Sequence, residues 1–108
     1  MKFPGAINVE WFQTENDFEA VFYDNDTEKI ARFSPEGEWI ETRINLDITG
    51  LNNNIRISAE QHGEMMNAIL IELHDEKKYE VIVRDEQLNR FLLILSDSGE
   101  IIKNQPIV

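Results

Sequence analysis

The architecture of this chain follows from the segment Phe33-Ser-Pro-Glu-Gly-Glu-Trp-Ile-Glu-Thr42, because about 62 positions later the chain repeats it as Leu95-Ser-Asp-Ser-Gly-Glu-Ile-Ile-Lys-Asn104. The two copies keep serine, glycine, glutamate and the second apolar residue in register. Further upstream, Phe18-Glu-Ala-Val-Phe22 is matched by Tyr79-Glu-Val-Ile-Val83, with one extra residue in the second copy. Similar segments at a fixed spacing indicate a duplicated structural unit. The chain therefore reads as a tandem duplication.

The size and composition of the chain predict one domain. Its 108 residues are 42% hydrophobic, which is enough for one compact core. We expect a single domain over residues 1–108, made of two half-repeats at about 5–46 and 48–104.

Each half-repeat contains strand patterns. Ile7, Val9 and Trp11 alternate with polar residues, and this two-residue period is typical of a half-buried strand. Turn residues such as Pro35 and Gly37 separate the patterns, which predicts neighbouring strands joined by hairpins. The predicted strands cover residues 7–11, 18–22, 27–33 and a segment ending near 46 in the first half, and 66–74, 78–84, 90–95 and 100–103 in the second.

Between the halves the apolar residues change to a helical period. Leu51, Ile55 and Ala59 recur at four-residue intervals, which predicts a helix of about three turns. Asp47 or Thr49 would cap its first turn. The predicted fold class is α+β. It consists of two tandem four-stranded antiparallel β meanders, in the order four strands, one helix, four strands (β4-α-β4, where the number counts strands), with the single helix packed on the sheet.

The charge of the chain is strongly acidic. Asp and Glu number 21 against 10 Lys and Arg, which gives a net charge of -11. Such a field repels phosphate backbones and anionic lipid surfaces, so we expect no nucleic-acid partner. No stretch reaches the roughly 18 apolar residues of a membrane span, so we expect no membrane insertion. Cysteine is absent, which excludes disulfides and thiolate sites.

Residues with catalytic or metal-binding chemistry show no recognisable spacing. His62 and His74 lie beside carboxylates, but neither has a second histidine at ligand spacing, so we predict no metal site. The acidic segment 24–28 lacks the glycine and the distant glutamate of a calcium loop and reads as a turn. The serines have no nucleophile-elbow context, and the glycines form no phosphate loop. We predict a protein that is not an enzyme and needs no cofactor.

The turn and core residues resemble a known family. The segments Phe3-Pro-Gly-Ala-Ile-Asn-Val-Glu-Trp11, 18–20 and 33–42 look like the PepSY-like, β-lactamase-inhibitor-like domains of Bacteroides-type bacteria. The resemblance covers nearly the whole chain and implies a β-lactamase-inhibitor-like fold in which each half is a helix followed by a four-stranded sheet. It also implies an exported module, periplasmic or secreted, that binds or inhibits a protein partner. The chain carries no signal-peptide pattern, so we expect any export signal to have preceded Met1.

One departure from the family pattern concerns the first half. The family's first half opens with its own helix, whereas this chain begins at the segment that follows it. We therefore expect an apolar face of the first sheet without its own helix, and such a face favours an interface. The sequence predicts either a homodimer through this face or one helix shared by both sheets. The predicted self-association residues are Ile7, Val9, Trp11, Phe18 and Phe22.

The sheet face away from the helix is the predicted partner surface. Aromatic and arginine side chains are enriched at binding hot spots, and alternation counted from Ile40 and Ile44 places several on this face. The residues predicted to contact a protein partner are Tyr23, Arg32, Trp39 and Arg84. The alternative is a sensor or carrier that binds a small molecule or cation at the acidic surface between the halves.

Overall fold

The fold is taken from a computed structural model that describes residues 6–24 and 26–107, with side chains from Val9 onward. The start of the family pattern at 3–5, and Asn25 in the acidic turn, lie outside the described residues. The strands are β1 (Ala6–Gln13), β2 (Phe18–Asp24), β3 (Thr27–Phe33), β4 (Trp39–Leu46), β5 (Glu64–Glu72), β6 (Lys77–Arg84), β7 (Arg90–Ser96) and β8 (Ile101–Ile107). Between β4 and β5 lie a 3-10 helix (Ile48–Gly50) and the helix α1 (Asn53–Glu60).

The strands form one antiparallel sheet. Its eight strands lie side by side in chain order, so each is hydrogen-bonded to the next. β4 pairs directly with β5, from Thr42 opposite Glu72 to Leu46 opposite Ala68, and this ladder joins the two halves. The predicted antiparallel sheet with one helix is confirmed. In the part of the chain that the structure describes, no helix is long and apolar enough to cross a membrane.

The sheet has two faces of different character. Cross-strand partners share a face, and side chains alternate between faces along each strand. We call the face that carries Ala31, Ala68 and Val81 the helix face, because α1 packs on it. The opposite face, which carries Ile30 and Arg43, is the open face. The main core lies on the helix face of the second half and consists of Leu51, Ile55, Ala59, Ala68, Tyr79, Val81, Val83, Leu93 and Leu95.

The helix α1 is held by a cap and by two buried residues. The side chain of Asn52 accepts a hydrogen bond from the Ile55 backbone N–H at 3.0 Å, which satisfies one free donor of the first turn. Ile55 and Ala59 are fully buried against the second half of the sheet. The helix is shorter than the predicted three turns, because Asp47 caps the separate 3-10 turn through the Thr49 N–H.

A β-bulge interrupts the first and the last strand of each half. The register shifts within β1 and β5, and within β4 and β8 at the repeat-equivalent residues Ile40 and Ile102. Because a bulge adds one residue, it reverses the alternation beyond it. Trp39 is therefore paired with Phe33 on the helix face. The prediction that Trp39 lies on the open face, made by alternation from Ile40 and Ile44, is wrong because Ile40 is the bulged residue.

Candidate docking faces of the sheet

The open face has an aliphatic floor. Ile71 is only 9% exposed there. Its cross-strand neighbours are Arg43 on β4 and Lys78 on β6, and long basic side chains bury their stems along apolar surface while the charged ends stay in water. The floor is therefore shielded by its own charged neighbours. Its other half-buried aliphatic residues are Val21, Ile30, Ile69, Ile82, Leu92 and Ile94.

Two arginines of the open face are fixed by carboxylates. Arg32 donates to Asp17 Oδ2 at 2.8 Å through Nη1 and to Glu41 Oε1 at 3.2 Å through Nη2. The hydrogen bond to Asp17 is the main reason why the pKa of Arg32 is raised, so this guanidinium stays charged. Arg43 donates to Glu80 Oε2 at 2.9 Å and thereby links β4 to β6 across β5. These pairs hold both guanidinium groups in defined positions above the floor.

The open face is balanced in charge although the chain is not. The net charge of the chain is -11, but the described strands place as many basic as acidic residues on this face. Outside the strands, Asp17 and Glu76 add two carboxylates at the rim of this face through their contacts with Arg32 and Lys78, and the rest of the acidic excess lies elsewhere on the molecule. The basic residues of the open face are Arg32, Arg43, Lys78, Arg84, Arg90 and Lys103, and the acidic ones are Glu10, Glu19, Glu28, Glu41, Glu64 and Glu80.

A shallow depression of about 250 Å³ lies at the centre of the open face, where the two halves meet. Arg43 reaches Glu80 through one nitrogen only, which leaves further N–H donors of its guanidinium for a partner. The carboxamides of Asn45 and Asn67 have no partner among the hydrogen bonds of the described residues, and each offers a donor and an acceptor. The lining residues are Glu28, Ile30, Arg43, Asn45, Asn67 and Ile69.

The structure separates the four residues predicted to contact a partner. Tyr23 and Arg32 lie on the open face of neighbouring strands. Arg84 is on the same face but on β6, four strands from Tyr23, which is about 19 Å at the usual strand spacing. Trp39 lies on the helix face, where its Nε1–H donates to Thr42 Oγ1 at 2.8 Å. Tyr23 is opposite Glu28 and Arg32 is opposite Glu19, so these two share the open face but lie about 13 Å apart along the strands, and Trp39 lies on the other side of the sheet.

Three of the predicted self-association residues share the helix face of the first half. Trp11, Phe18 and Phe22 lie there by register, and their exposure ranges from 61% for Trp11 to 2% for Phe22. Val9 lies within the bulge of β1, and Ile7 has the register of the open face, its side chain being outside the described part. Phe22 is already buried and offers no surface to a second copy. Self-association stays a prediction.

His74 is engaged by Trp39 in the turn between β5 and β6. Its Nε2 lies 2.8 Å from the Trp39 carbonyl oxygen, and the two rings meet edge to face with centroids 4.8 Å apart. Among the described residues, no group of three or more His, Asp or Glu side chains is placed to hold a metal ion. The alternative function needs an acidic surface between the halves. The charged residues that line the open-face depression there are one glutamate and one arginine, Glu28 and Arg43.

The centre of the open face holds residues that were not among the predicted partner contacts. Arg43, Asn45 and Asn67 lie there because β4 and β5 pair directly. A signal for the correct face assignment exists in the sequence: the repeat places two apolar residues side by side in both copies, Trp39-Ile40 and Ile101-Ile102. A bulge at the second residue of each pair puts the first residue on the helix face, but unbulged runs such as Leu92-Leu93-Ile94 also place apolar residues side by side, so the pair is a signal only together with the repeat.

Solved structures of low sequence identity share this fold. A DUF2874 family protein from Bacteroides uniformis superposes with a TM-score of 0.86 at 18% identity, covering 97% of this chain and 81% of that chain. A BLIP-like protein from Bacteroides fragilis gives a TM-score of 0.85 at 18% identity, covering 98% and 79%. A protein from Bacteroides eggerthii that is provisionally described as periplasmic gives 0.84 at 17% identity, covering 98% and 81%.

These similarities define the class of the fold. The chain has a BLIP-like fold, an eight-stranded antiparallel sheet with one described helix, shared with DUF2874 proteins. No protein-family model and no curated protein matches the sequence. At these identities the likeness concerns the fold alone, and the PepSY part of the resemblance stays a prediction.

Proposed function

We propose that this protein is a non-enzymatic, exported binding module that docks a folded protein partner on the open face of its sheet. The observation that carries this proposal is the charge balance of that face within a chain of net charge -11. A partner can approach an aliphatic, charge-balanced face without the repulsion that the acidic remainder of the surface exerts on acidic groups.

The dimensions of the open face favour a protein over a small molecule. The eight strands span about 34 Å at the usual strand spacing, and strands of this length measure roughly 25 Å, which gives a face of about 850 Å². A stable protein interface buries about 800 Å² on each partner. The central depression of about 250 Å³ is open and is smaller than most ligand cavities. It is suited to receive one or two side chains of a protein.

The chemistry of the depression supports the same partner class. Arg43 supplies charged donors, and Asn45 and Asn67 supply carboxamides that match the donors and acceptors of a peptide backbone. Arginine held by a carboxylate is preorganised, so less side-chain entropy is lost on docking. One neighbour is described as BLIP-like and another provisionally as periplasmic, and these descriptions support an inhibitor-like role in the envelope by analogy of fold.

The test is a matched pair of substitutions, Asn45→Tyr and Asn104→Tyr. Both asparagines are exposed strand residues, but Asn45 lines the depression and Asn104 is paired with Leu93 on the helix face. Tyrosine is favoured in strands, so both variants are expected to fold. Wild-type protein is immobilised, envelope extract of a Bacteroides culture is passed over it, and each retained protein is identified by mass spectrometry and purified.

The purified partner is then titrated against each variant by calorimetry. We expect N45Y to weaken binding at least tenfold and N104Y to change it less than twofold. Equal affinities of N45Y and wild type would place the docking surface elsewhere. If no protein binds wild type, while the melting temperature rises with a small molecule or with calcium, the alternative function replaces the proposed one.

A further inference from the structure

Three hairpin turns of this protein have the same geometry. They are the five-residue turns 34–38, 85–89 and 96–100. In each, the backbone N–H of the first residue donates to the carbonyl of the fifth residue, at 2.8, 2.9 and 2.8 Å. In each turn the fourth N–H also donates to the first carbonyl, at 2.9, 3.0 and 3.0 Å. The side chain of the first residue, a serine or aspartate, accepts from the fifth N–H in all three. The shared hydrogen bonds therefore require the same backbone conformation at the fourth residue of each turn.

That fourth residue adopts a left-handed conformation in all three turns. Gly37 has φ +86° and Gly99 has φ +95°, as expected where only glycine is unstrained. In the turn 85–89 the fourth residue is Leu88, with φ +68°. The half-repeat equivalent of Leu88, about 62 positions earlier, is Asp26 with φ +65°, and aspartate tolerates this conformation better than leucine. Leu88 is thus the one described residue at which a bulky apolar side chain is forced into left-handed backbone.

Packing does not account for this leucine. Leu88 is 68% exposed, more than any other large apolar side chain that the structure describes. It belongs to neither core cluster of the described residues. The left-handed backbone at Leu88 is unfavourable for the isolated protein, and residues held in strained backbone cluster at binding sites and ligand clamps.

We propose that Leu88 is an anchor of the interface: the β6–β7 hairpin inserts it into an apolar pocket of the protein partner that docks on the open face. The inference rests on the proposed function. Arg84 and Arg90, the last residue of β6 and the first of β7, are opposite each other on the open face. The hairpin tip therefore continues the open face beyond its end, so one partner can cover both. A fixed turn also presents the leucine in one conformation, which lowers the entropy lost on binding.

The test compares Leu88→Gly with Ile57→Ala. The turns 34–38 and 96–100 have glycine at the equivalent position, so L88G is expected to fold. Loss of binding by this variant therefore cannot be attributed to a disrupted turn. Ile57 is a matched control, because it is 59% exposed but lies on α1, on the far side of the sheet. Both variants and N45Y are titrated by calorimetry against each envelope protein that was retained by wild type, identified and purified. We expect L88G to weaken binding at least tenfold, and I57A less than twofold.

Each outcome decides between the two proposals. If N45Y loses affinity and L88G retains it, the open face is the docking surface and the proposal for Leu88 is overturned. If no envelope protein binds wild type, both proposals fail together. Leu88-dependent sedimentation with vesicles of phosphatidylcholine and phosphatidylglycerol, without a protein partner, would assign the leucine to a lipid surface and would also overturn the proposal.

Discussion

The left-handed conformation at Leu88 predicts an unusual order of stabilities at that position. Replacing leucine by glycine or by alanine removes the same exposed side chain, so any lost burial is common to both variants. They differ in backbone preference alone. In ordinary helix or strand positions the glycine variant is the less stable one. At position 88 we expect the reverse, because φ is +68°.

The magnitude follows from two opposing contributions. A non-glycine residue in left-handed backbone costs about 1–2 kcal/mol, and glycine costs about 0.5–1 kcal/mol through the extra freedom of the unfolded chain. Their difference leaves L88G more stable than L88A by about 0.5–1 kcal/mol. For a domain of this size that difference corresponds to about 2–6 °C in melting temperature. Gly37 provides a matched comparison, because a Cβ there would meet no atom within 4 Å and its φ is +86°.

The assay is urea unfolding followed by the fluorescence of Trp11 and Trp39, for L88G, L88A, G37A and wild type. We expect G37A to lose about as much stability as separates L88A from L88G, with unchanged dependence on urea concentration. An L88A variant as stable as L88G, together with a G37A variant that clearly loses stability, would refute the assignment of strain to Leu88. Leu88 would then be an exposed leucine without backbone strain, and nothing would mark it as an anchor.

Three further predictions concern the helix cap, a buried hydrogen bond and an alkaline transition. Asn52→Ala removes the acceptor for the Ile55 N–H and should lower the free energy of unfolding by about 1 kcal/mol in urea titrations. Trp39→Phe removes the donor to the fully buried hydroxyl of Thr42 and should cost about 1–2 kcal/mol, measured in the same way by circular dichroism. Burial raises the pKa of Tyr79 above its ordinary value of 10.0, so above pH 10 the unfolded chain binds fewer protons than the folded one. Stability should therefore hold below pH 10 and fall above it, and a Y79F variant should lose that part of the decline when unfolding is followed from pH 9 to 11.5.

Much of the sheet could be predicted from the sequence, because an antiparallel meander depends on local signals. Alternation identified the strands to within a few residues, and for β3 the predicted span 27–33 agrees with the structure. Within each half, short hairpin turns rich in serine, aspartate and glycine connect each strand to the next. The connection most remote in sequence, from β4 to β5, is also between neighbouring strands, so no long-range pairing had to be guessed.

The face assignments failed where the period changed. Alternation is counted residue by residue, so a single bulge at Ile40 moved Trp39 to the other side of the sheet. The strain at Leu88 had no local signature either, because the pattern of the turn 85–89 has neither proline nor glycine. The strain lies in the φ of Leu88, within a hydrogen-bond pattern that the two glycine-containing turns share.

The two halves bury equivalent positions in different ways, and this difference bears on where a partner docks. Val81 and Leu93 are covered by α1, whereas their repeat equivalents Ala20 and Ala31 lie under aromatic side chains of their own half, among them Trp39. The aromatic rings cover these two alanines, which are 4% and 0% exposed. Trp39 is thereby part of the core, and its substitution should act on stability before it acts on binding. The surface left for recognition is the open face, where the charges balance, together with the hairpin that carries Leu88.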